Sequence, residues 1–302
     1  MAAEIASPRA GALPPGEDTR CPLCGGRDHA VVYDLRDATG PEAVPGVVRR
    51  CRDCGMWFKT LSDPAGLPTA YAGEHGTDDV AATYLLGDTA RALFRQALAP
   101  LAPAGTAAPR LLDVGAAQGA LLEEAARLGF DAEGVDHCAE NVRDAGARGL
   151  RMRLAEAEDL DDRARFDVVT MMDLIEHVTA PSRLLAMAHR ALRPGGTLVV
   201  YTPNHRAAVV LLARLLHRVG VRYPVAEIFA RNHVCFFDDR TLPRMLARAG
   251  FAVGATTLTA YDPSRPGQAI SPLNLAAVAT AEWLGRPFGR VFRMLVYARR
   301  PE

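Results

Sequence analysis

The stretch Leu111-Leu-Asp-Val-Gly-Ala-Ala-Gln-Gly-Ala-Leu-Leu122 joins an apolar run, an acid, a loop of small residues and the opening of a helical pattern. In an α/β protein this order marks a strand whose carboxyl end meets a ligand where the next helix starts. A dinucleotide fingerprint needs G-x-G-x-x-G, three glycines that let backbone approach a pyrophosphate. From Gly115 the corresponding residues are Gly115, Ala117 and Ala120, so two of the three glycines are absent. What remains is Asp113-x-Gly115-x-x-x-Gly119. An acid at the strand end and two glycines around a small-residue loop suit a cofactor that presents a cationic amino-acid group.

The same alternation continues outward. Strands are expected at Arg110–Val114, Phe130–Val135 (ending at Asp136), Leu150–Leu154, Phe166–Met171 and Thr197–Tyr201. Helices are expected at Ala120–Leu128, Ala139–Ala147 and Ser182–Leu192, the last stopped by Arg193-Pro-Gly-Gly196. Before them lie a Pro/Gly-punctuated linker (Ser62–Gly76) and a helical stretch near Asp78–Leu98. After them come a capped helix, Asp238–Gly250, and strands at Phe251–Thr257 and Arg290–Arg299. Strands alternating with helices imply a parallel sheet wrapped on both faces, with ligands at the carboxyl ends of the strands.

Four of the six cysteines form two pairs, Cys21-Pro-Leu-Cys24-Gly25 and Cys51-Arg-Asp-Cys54-Gly55, with 26 residues between them. A two-residue gap lets both thiolates of a pair face one tetrahedral ion, and the following glycine frees backbone N–H groups to turn towards sulfur. Two such knuckles, at Cys21, Cys24, Cys51 and Cys54, predict a small zinc ribbon over residues 21–60. A closed four-thiolate site leaves no position open for substrate, so the zinc is expected to be structural, folding a segment too small for a core of its own. Cys138 and Cys235 stand alone and read as packing residues.

The chain of 302 residues is 49% hydrophobic and 23% charged, a globular composition with room for one or two domains. No stretch approaches a transmembrane span, and the Ala/Pro/Gly-rich opening lacks the apolar core of a signal peptide, so a disordered N-terminus over residues 1–20 and a cytoplasmic location are expected. Formal net charge is zero, but residues 1–100 carry −3, residues 101–200 carry −5 and residues 201–302 carry +8. That asymmetry is compatible with an anionic substrate and equally with solvated arginine faces. Lys59 is the sole lysine against 34 arginines, a bias that makes any single arginine weak evidence. The ribbon has six basic and five acidic residues, too balanced for a phosphate-binding stripe, so a nucleic-acid partner is not expected.

From Leu111 to Phe251 the chain resembles the class I S-adenosylmethionine-dependent methyltransferases. The segments that carry the resemblance are Asp113-Val-Gly115-Ala-Ala-Gln-Gly119, Gly134-Val-Asp136, Ala155-Glu156-Ala-Glu-Asp-Leu160, Phe166–Val178 and Leu192–Asn204. Ala116 and Ala117 replace the commoner Cys and Gly of the loop. The resemblance implies an α/β, Rossmann-like parallel sheet with a final antiparallel strand, preceded here by the four-cysteine ribbon. It divides the chain into ribbon, a linker with N-terminal helices over 61–108 and a methyltransferase domain over 109–302. It also implies cofactor contacts at Asp113, Gly115, Gln118, Gly119 and Met172, ribose at Asp136, and adenine at His137, Glu156 and Ala157.

The segment Asp173-Leu-Ile-Glu176-His177 resembles that of ubiquinone-pathway O-methyltransferases, where acids and a His can hold a divalent cation, here magnesium at Asp173, Glu176 and His177. The alternative is that Glu176 and His177 open a helix and bond to backbone. His177 and, behind it, His233 are the candidate bases for a hydroxyl acceptor, with Asp173 as the accompanying catalytic acid. Between Asn204 and His233 lies an insertion, 205–233, whose first part reads as a basic amphipathic helix, Val209, Leu212, Leu215, Leu216 and Val219 on one face and Arg206, Arg214, His217 and Arg218 on the other. It suits a lid, a membrane-surface contact through 205–220 for a lipophilic acceptor, or a packed helix. The resemblance extends to zinc-ribbon methyltransferases of bacterial biosynthetic clusters, so the expected partner is a small-molecule acceptor of a natural-product, sugar or quinone-like pathway. Two alternatives stand: an rRNA base methyltransferase, and a non-catalytic ribbon protein that only binds a ligand. The oligomeric state is not legible.

Overall fold

The two cysteine knuckles sit together at one end of a short antiparallel meander, one ahead of β1 (His29–Asp34) and one in the turn between β2 (Gly46–Cys51) and β3 (Trp57–Leu61). The structure, a computed structural model, describes residues 19–37, 44–62, 87–229, 232–259 and 272–302. The disorder expected before residue 19, most of the linker and Tyr71, Tyr84 and Tyr261, which the sequence suggests as pocket walls, lie outside the described residues.

Helix α1 (Asp88–Leu98) opens the second unit. β4 (Arg110–Val114), α2 (Ala120–Arg127), β5 (Asp131–Asp136), α3 (Ala139–Ala147), β6 (Met152–Leu154) and β7 (Phe166–Met172) follow. α4 (Pro181–Ala191) leads directly into β8 (Leu192–Pro203), and the insertion supplies α5 (Ala208–Arg218) and α6 (Tyr223–Phe229). The chain closes with β9 (Cys235–Phe236), α7 (Thr241–Arg248), β10 (Ala252–Thr259), α8 (Pro272–Gly285) and β11 (Arg293–Arg299). Seven strands form one sheet in the order β10-β11-β8-β7-β4-β5-β6, in which only β11 runs against its neighbours. Leu111, Leu112 and Val114 of the central β4 are fully buried because helices cover both faces, which explains the unbroken apolar run. Each such leucine contributes about 1.5–3 kcal/mol by leaving water.

Helix α1 is fixed over the open end of the sheet by charge. Glu124 of α2 is wholly buried and receives Arg91 Nη1 and Arg95 Nη1, each at 3.0 Å, and pairs with Arg127. Burial pushes the Glu124 carboxyl up, but the three guanidiniums prevail and hold it below its ordinary value.

Four expectations are corrected. Arg193-Pro-Gly-Gly196 does not separate helix from strand: β8 already begins at Leu192, because Gly195 N and Gly196 O bond to Arg300 beyond the last strand. The helix of the insertion turns a different face inward. Val210 and Ala213 are buried, whereas Leu211, Leu215 and Val219 are exposed, since the tight packing against the ribbon and α6 favours the small residues. The insertion is also no free lid. Tyr33 of β1 meets Phe229 of α6 (5.2 Å between centroids) and His217 of α5 (5.0 Å), and Trp57 of β3 stacks on Phe229 at 5.8 Å. Finally, β9 pairs antiparallel with β3, Trp57 against Phe236 and Phe58 against Cys235, so one four-stranded sheet crosses the expected domain boundary.

Candidate active site

The cofactor loop leaves β4 at Val114. Gly115 takes φ +72°, and a Cβ there would lie 3.0 Å from Leu174 Cδ1 in the turn after β7, so glycine suits both the backbone conformation and the close approach. Gly115 N and Ala116 N both donate to Val135 O, at 2.9 and 3.0 Å. Ala117 adopts φ +45°, the left-handed conformation that a glycine would take there, at a cost of about 1 kcal/mol. Its N–H donates to Asp136 Oδ2 at 2.8 Å.

Behind the loop lies a pocket lined by Phe94, Asp113, Gly115, Gln118, Met172 and Asp173, with Leu93 and the start of α2 completing the wall. The structure thus brings together four of the expected cofactor residues. Gln118 Oε1 is buried there with no hydrogen-bond partner, an acceptor that fits the ammonium or another donor of an S-adenosylmethionine molecule. Gly119 closes the loop as the N-cap of α2. Asp136 is more constrained than a bare ribose ligand: Oδ1 accepts from Cys138 N at 2.8 Å while Oδ2 holds Ala117. Asn141 Nδ2 donates to Oδ1 as well, at 3.4 Å, so Oδ2 is the oxygen that keeps a second lone pair for a hydroxyl. Ala155 N donates to Asp136 O at 3.1 Å, which sets Glu156 and Ala157 beside the same strand end, with His137 following Asp136 on the rim.

Asp113 is buried and accepts a hydrogen bond from Thr170 Oγ1 at 2.6 Å. Burial pushes its carboxyl up to about 7, against the Thr170 bond and with the Asp136 charge adding to the rise. A cation bound beside it draws the carboxyl back towards ionisation, so binding releases a proton below about pH 7. S-adenosylmethionine affinity is therefore expected to rise with pH up to about 7, by at most about tenfold per unit, and to level off above. Calorimetry between about pH 5.5 and 8 checks this, and Asp113→Asn flattens the profile if Asp113 is its source.

The acidic and histidine segment differs from expectation. Asp173, in a left-handed turn at φ +51°, forms an ion pair with Arg293 of β11, whose guanidinium is 4% exposed and lies over the Tyr201 ring at 5.3 Å. Instead Glu176, His177 and His233 converge, one ligand atom from each lying within 4.8 Å of the others. Glu176 and His177 do not open a helix: they occupy a turn four residues ahead of α4, and the buried Glu176 side chain accepts from Thr202 Oγ1 at 2.9 Å. The His177 and His233 rings meet edge to face at 4.6 Å. Two imidazoles and one carboxylate depart from the all-oxygen set that magnesium prefers and suit a borderline cation better. Arg293, Thr170 and Phe94 escaped the sequence reading. In a chain with 34 arginines nothing distinguished Arg293.

At the other end, Cys21 Sγ and Cys54 Sγ are 3.5 Å apart, as are Cys24 Sγ and Cys51 Sγ, and all four atoms lie within 4.8 Å. Tetrahedral zinc with bonds of about 2.3 Å needs sulfurs about 3.8 Å apart, so the cluster fits. Gly26 N points at Cys24 Sγ at 3.4 Å, as such knuckles do.

A family model for the methyltransferase domain matches residues 87–256, more than half of the chain. This chain belongs to the methyltransferase-domain family. It is 34% identical over 152 residues to the ubiquinone biosynthesis O-methyltransferase of Bradyrhizobium sp. (strain ORS 278), covering 48% of this chain and 58% of that one. With the enzyme of that name from Xanthomonas oryzae pv. oryzae (strain PXO99A) it shares 32% over 170 residues, 53% of this chain and 69% of the relative. The chain thus spans little more than half the length of the Bradyrhizobium relative. Among solved structures, an S-adenosylmethionine-dependent methyltransferase of Thermotoga maritima superposes with TM-score 0.52 at 20% identity, over 76% of this chain and 99% of that one. The 1,6-didemethyltoxoflavin-N1-methyltransferase of Burkholderia thailandensis, solved with 1,6-didemethyltoxoflavin and S-adenosylhomocysteine, gives 0.50 at 17% identity over 83% and 98%. At such identities these two establish the fold, a class I methyltransferase fold with one antiparallel strand, and the S-adenosylhomocysteine belongs to the Burkholderia enzyme.

Proposed function

We propose that this protein transfers the methyl group of S-adenosylmethionine to a hydroxyl oxygen of a small-molecule acceptor in a bacterial biosynthetic pathway, and that its ribbon carries a structural zinc. The observation that supports this best is the meeting of two half-sites at the carboxyl ends of neighbouring strands. After β4 lies the cofactor pocket, and after β7 lie Glu176, His177 and His233. When bound, S-adenosylmethionine supplies a methyl group already activated by its sulfonium, so the protein has to orient two reactants and exclude water. Gly115 and Gln118 orient the amino-acid end, and Phe94 and Met172 close the pocket. His177 takes the acceptor proton, its Nε2 standing 3.9 Å from Glu176 Oε1. Asp173 bonds to Arg293 and shapes the turn, a structural part in place of the catalytic one expected of it.

The hydroxyl assignment is supported by the His177–His233 pair and by the names of the curated relatives. Incubation with S-adenosylmethionine and a panel of catechols, phenols, amines and carbon acids tests it: O-methyl products are expected, and exclusive N- or C-methylation overturns it. An rRNA target has less support, since the face of the ribbon sheet carrying Tyr33 and Trp57 is covered by α5 and α6.

The ribbon is expected to bind about one zinc per chain in protein purified without added metal. Metal analysis checks this, and a folded ribbon without zinc contradicts it. The exposed apolar side chains Leu215 of α5, Val219 just beyond it and Trp283 of α8, with Arg218 and Arg286 nearby in sequence, support a peripheral contact with an anionic membrane surface. Co-sedimentation with anionic but not neutral vesicles is expected, and loss of it in Trp283→Glu; equal recovery with both vesicle types contradicts the contact.

A further inference from the structure

Residues 232–237 stand between two structures that the sequence separates by more than a hundred residues. On one side, β3 of the ribbon pairs with β9, and Lys59 N donates to Val234 O at 2.8 Å. On the other side, Val234 N and Cys235 N both donate to Glu176 O, at 2.8 and 3.0 Å. The two residues are buried, and so is Phe58, which faces Cys235 across the pair. The carbonyl that receives both bonds belongs to the turn that holds His177, and His233 immediately precedes Val234. Arg244 of α7 adds a second tie, donating to Cys54 O at 3.2 Å. Cys21, Cys51 and Phe58 share one apolar core with Ile175, Val234 and Phe237. A two-residue strand has no register of its own; it takes its place from the strand beside it.

We propose that the cysteine ribbon is a positioning device for the acceptor side of the active site: through β3 it sets β9, and β9 sets His233 against His177. This rests on the proposed zinc ribbon and on the histidine pair as the acceptor side. It assigns the metal a role that a mere folding aid lacks. The proposed cofactor half-site depends on β4, β5 and α2; Leu112, Val114 and Val135 lie in the same apolar core as the ribbon cysteines, but no strand of this half pairs with the ribbon sheet, so the two halves of the site respond differently to loss of the ribbon.

The test compares the full chain as purified, the same chain stripped of metal by a thiol-directed mercurial and chelator, and Cys24→Ser. Three readouts are taken: amide hydrogen exchange, the ring NMR signals of His177 and His233, and calorimetric affinity for S-adenosylmethionine. Losing the ribbon should speed exchange at the Val234 and Cys235 amides by about a hundredfold or more and shift both histidine rings. Val114 should keep its protection, S-adenosylmethionine affinity should stay within about twofold, and zinc should restore the stripped chain. Unchanged exchange and histidine signals overturn the proposal. So does parallel loss of protection at Val114 and of cofactor affinity, because the ribbon then supports the whole fold. None of the readouts requires turnover, so they stand apart from a failure to find methyl transfer, and zinc analysis of the purified chain separately reports a failure of the metal assignment.

Discussion

His177→Ala is expected to lower methyl-transfer turnover by about a hundredfold to ten-thousandfold, the range for a lost general base, while S-adenosylmethionine affinity stays within about twofold. The split follows from geometry. His177 lies beyond the exit of β7 among Glu176 and His233, whereas the pocket proposed for the cofactor is lined by residues around Gly115 and Met172. Removing the ring leaves the cofactor pocket whole and takes away the group that accepts the acceptor proton. His233→Ala should act in the same direction with a smaller effect, because His233 touches His177 edge to face and serves as its support. If the three residues instead hold a borderline cation, a chelator abolishes turnover in an enzyme whose ribbon zinc is retained. A His177→Ala enzyme with full turnover and no response to chelator removes both roles.

Asp173→Ala is expected to destabilise the fold by about 3 kcal/mol, because it strands the buried Arg293 guanidinium without its carboxylate. Asp173 is itself only partly buried, which places the loss at the lower end of the range for a broken buried pair. Arg293→Met in the same chain should recover much of the loss, since the uncompensated charge is then gone and the methionine stem can lie along the Tyr201 ring. Urea midpoints of the two single variants and the double variant form the cycle that isolates the pair. A loss below about 0.5 kcal/mol in Asp173→Ala contradicts the pairing.

The sheet was legible because its central strands are buried on both faces and read as largely apolar runs: Leu111–Val114, Val168–Met171 and Leu198–Tyr201 all appear where expected. The cysteine knuckles were legible for a different reason, since metal ligation fixes spacing directly in sequence. What periodicity cannot carry was missed. β9 is two residues long and has no pattern, yet it joins the ribbon to the turn before α4. The inward face of α5 follows from packing against Tyr33 and Phe229, partners from distant segments, so the apolar stripe of the isolated helix pointed to the wrong side. Asp173 looked like a ligand because it stands three residues ahead of Glu176. Its actual partner, Arg293, lies 120 residues away on the antiparallel strand.

In the proposed reaction S-adenosylmethionine bound at the end of β4 gives its methyl group to a small acceptor beside His177. Mass spectrometry of bacterial extract incubated with this protein and S-adenosylmethionine labelled with a deuterated methyl group tests this. The expected result is a low-molecular-weight product carrying the intact labelled methyl on oxygen, formed together with S-adenosylhomocysteine and missing when His177→Ala replaces the native chain. Label that appears only in rRNA, or that fails to leave the cofactor at all, contradicts it.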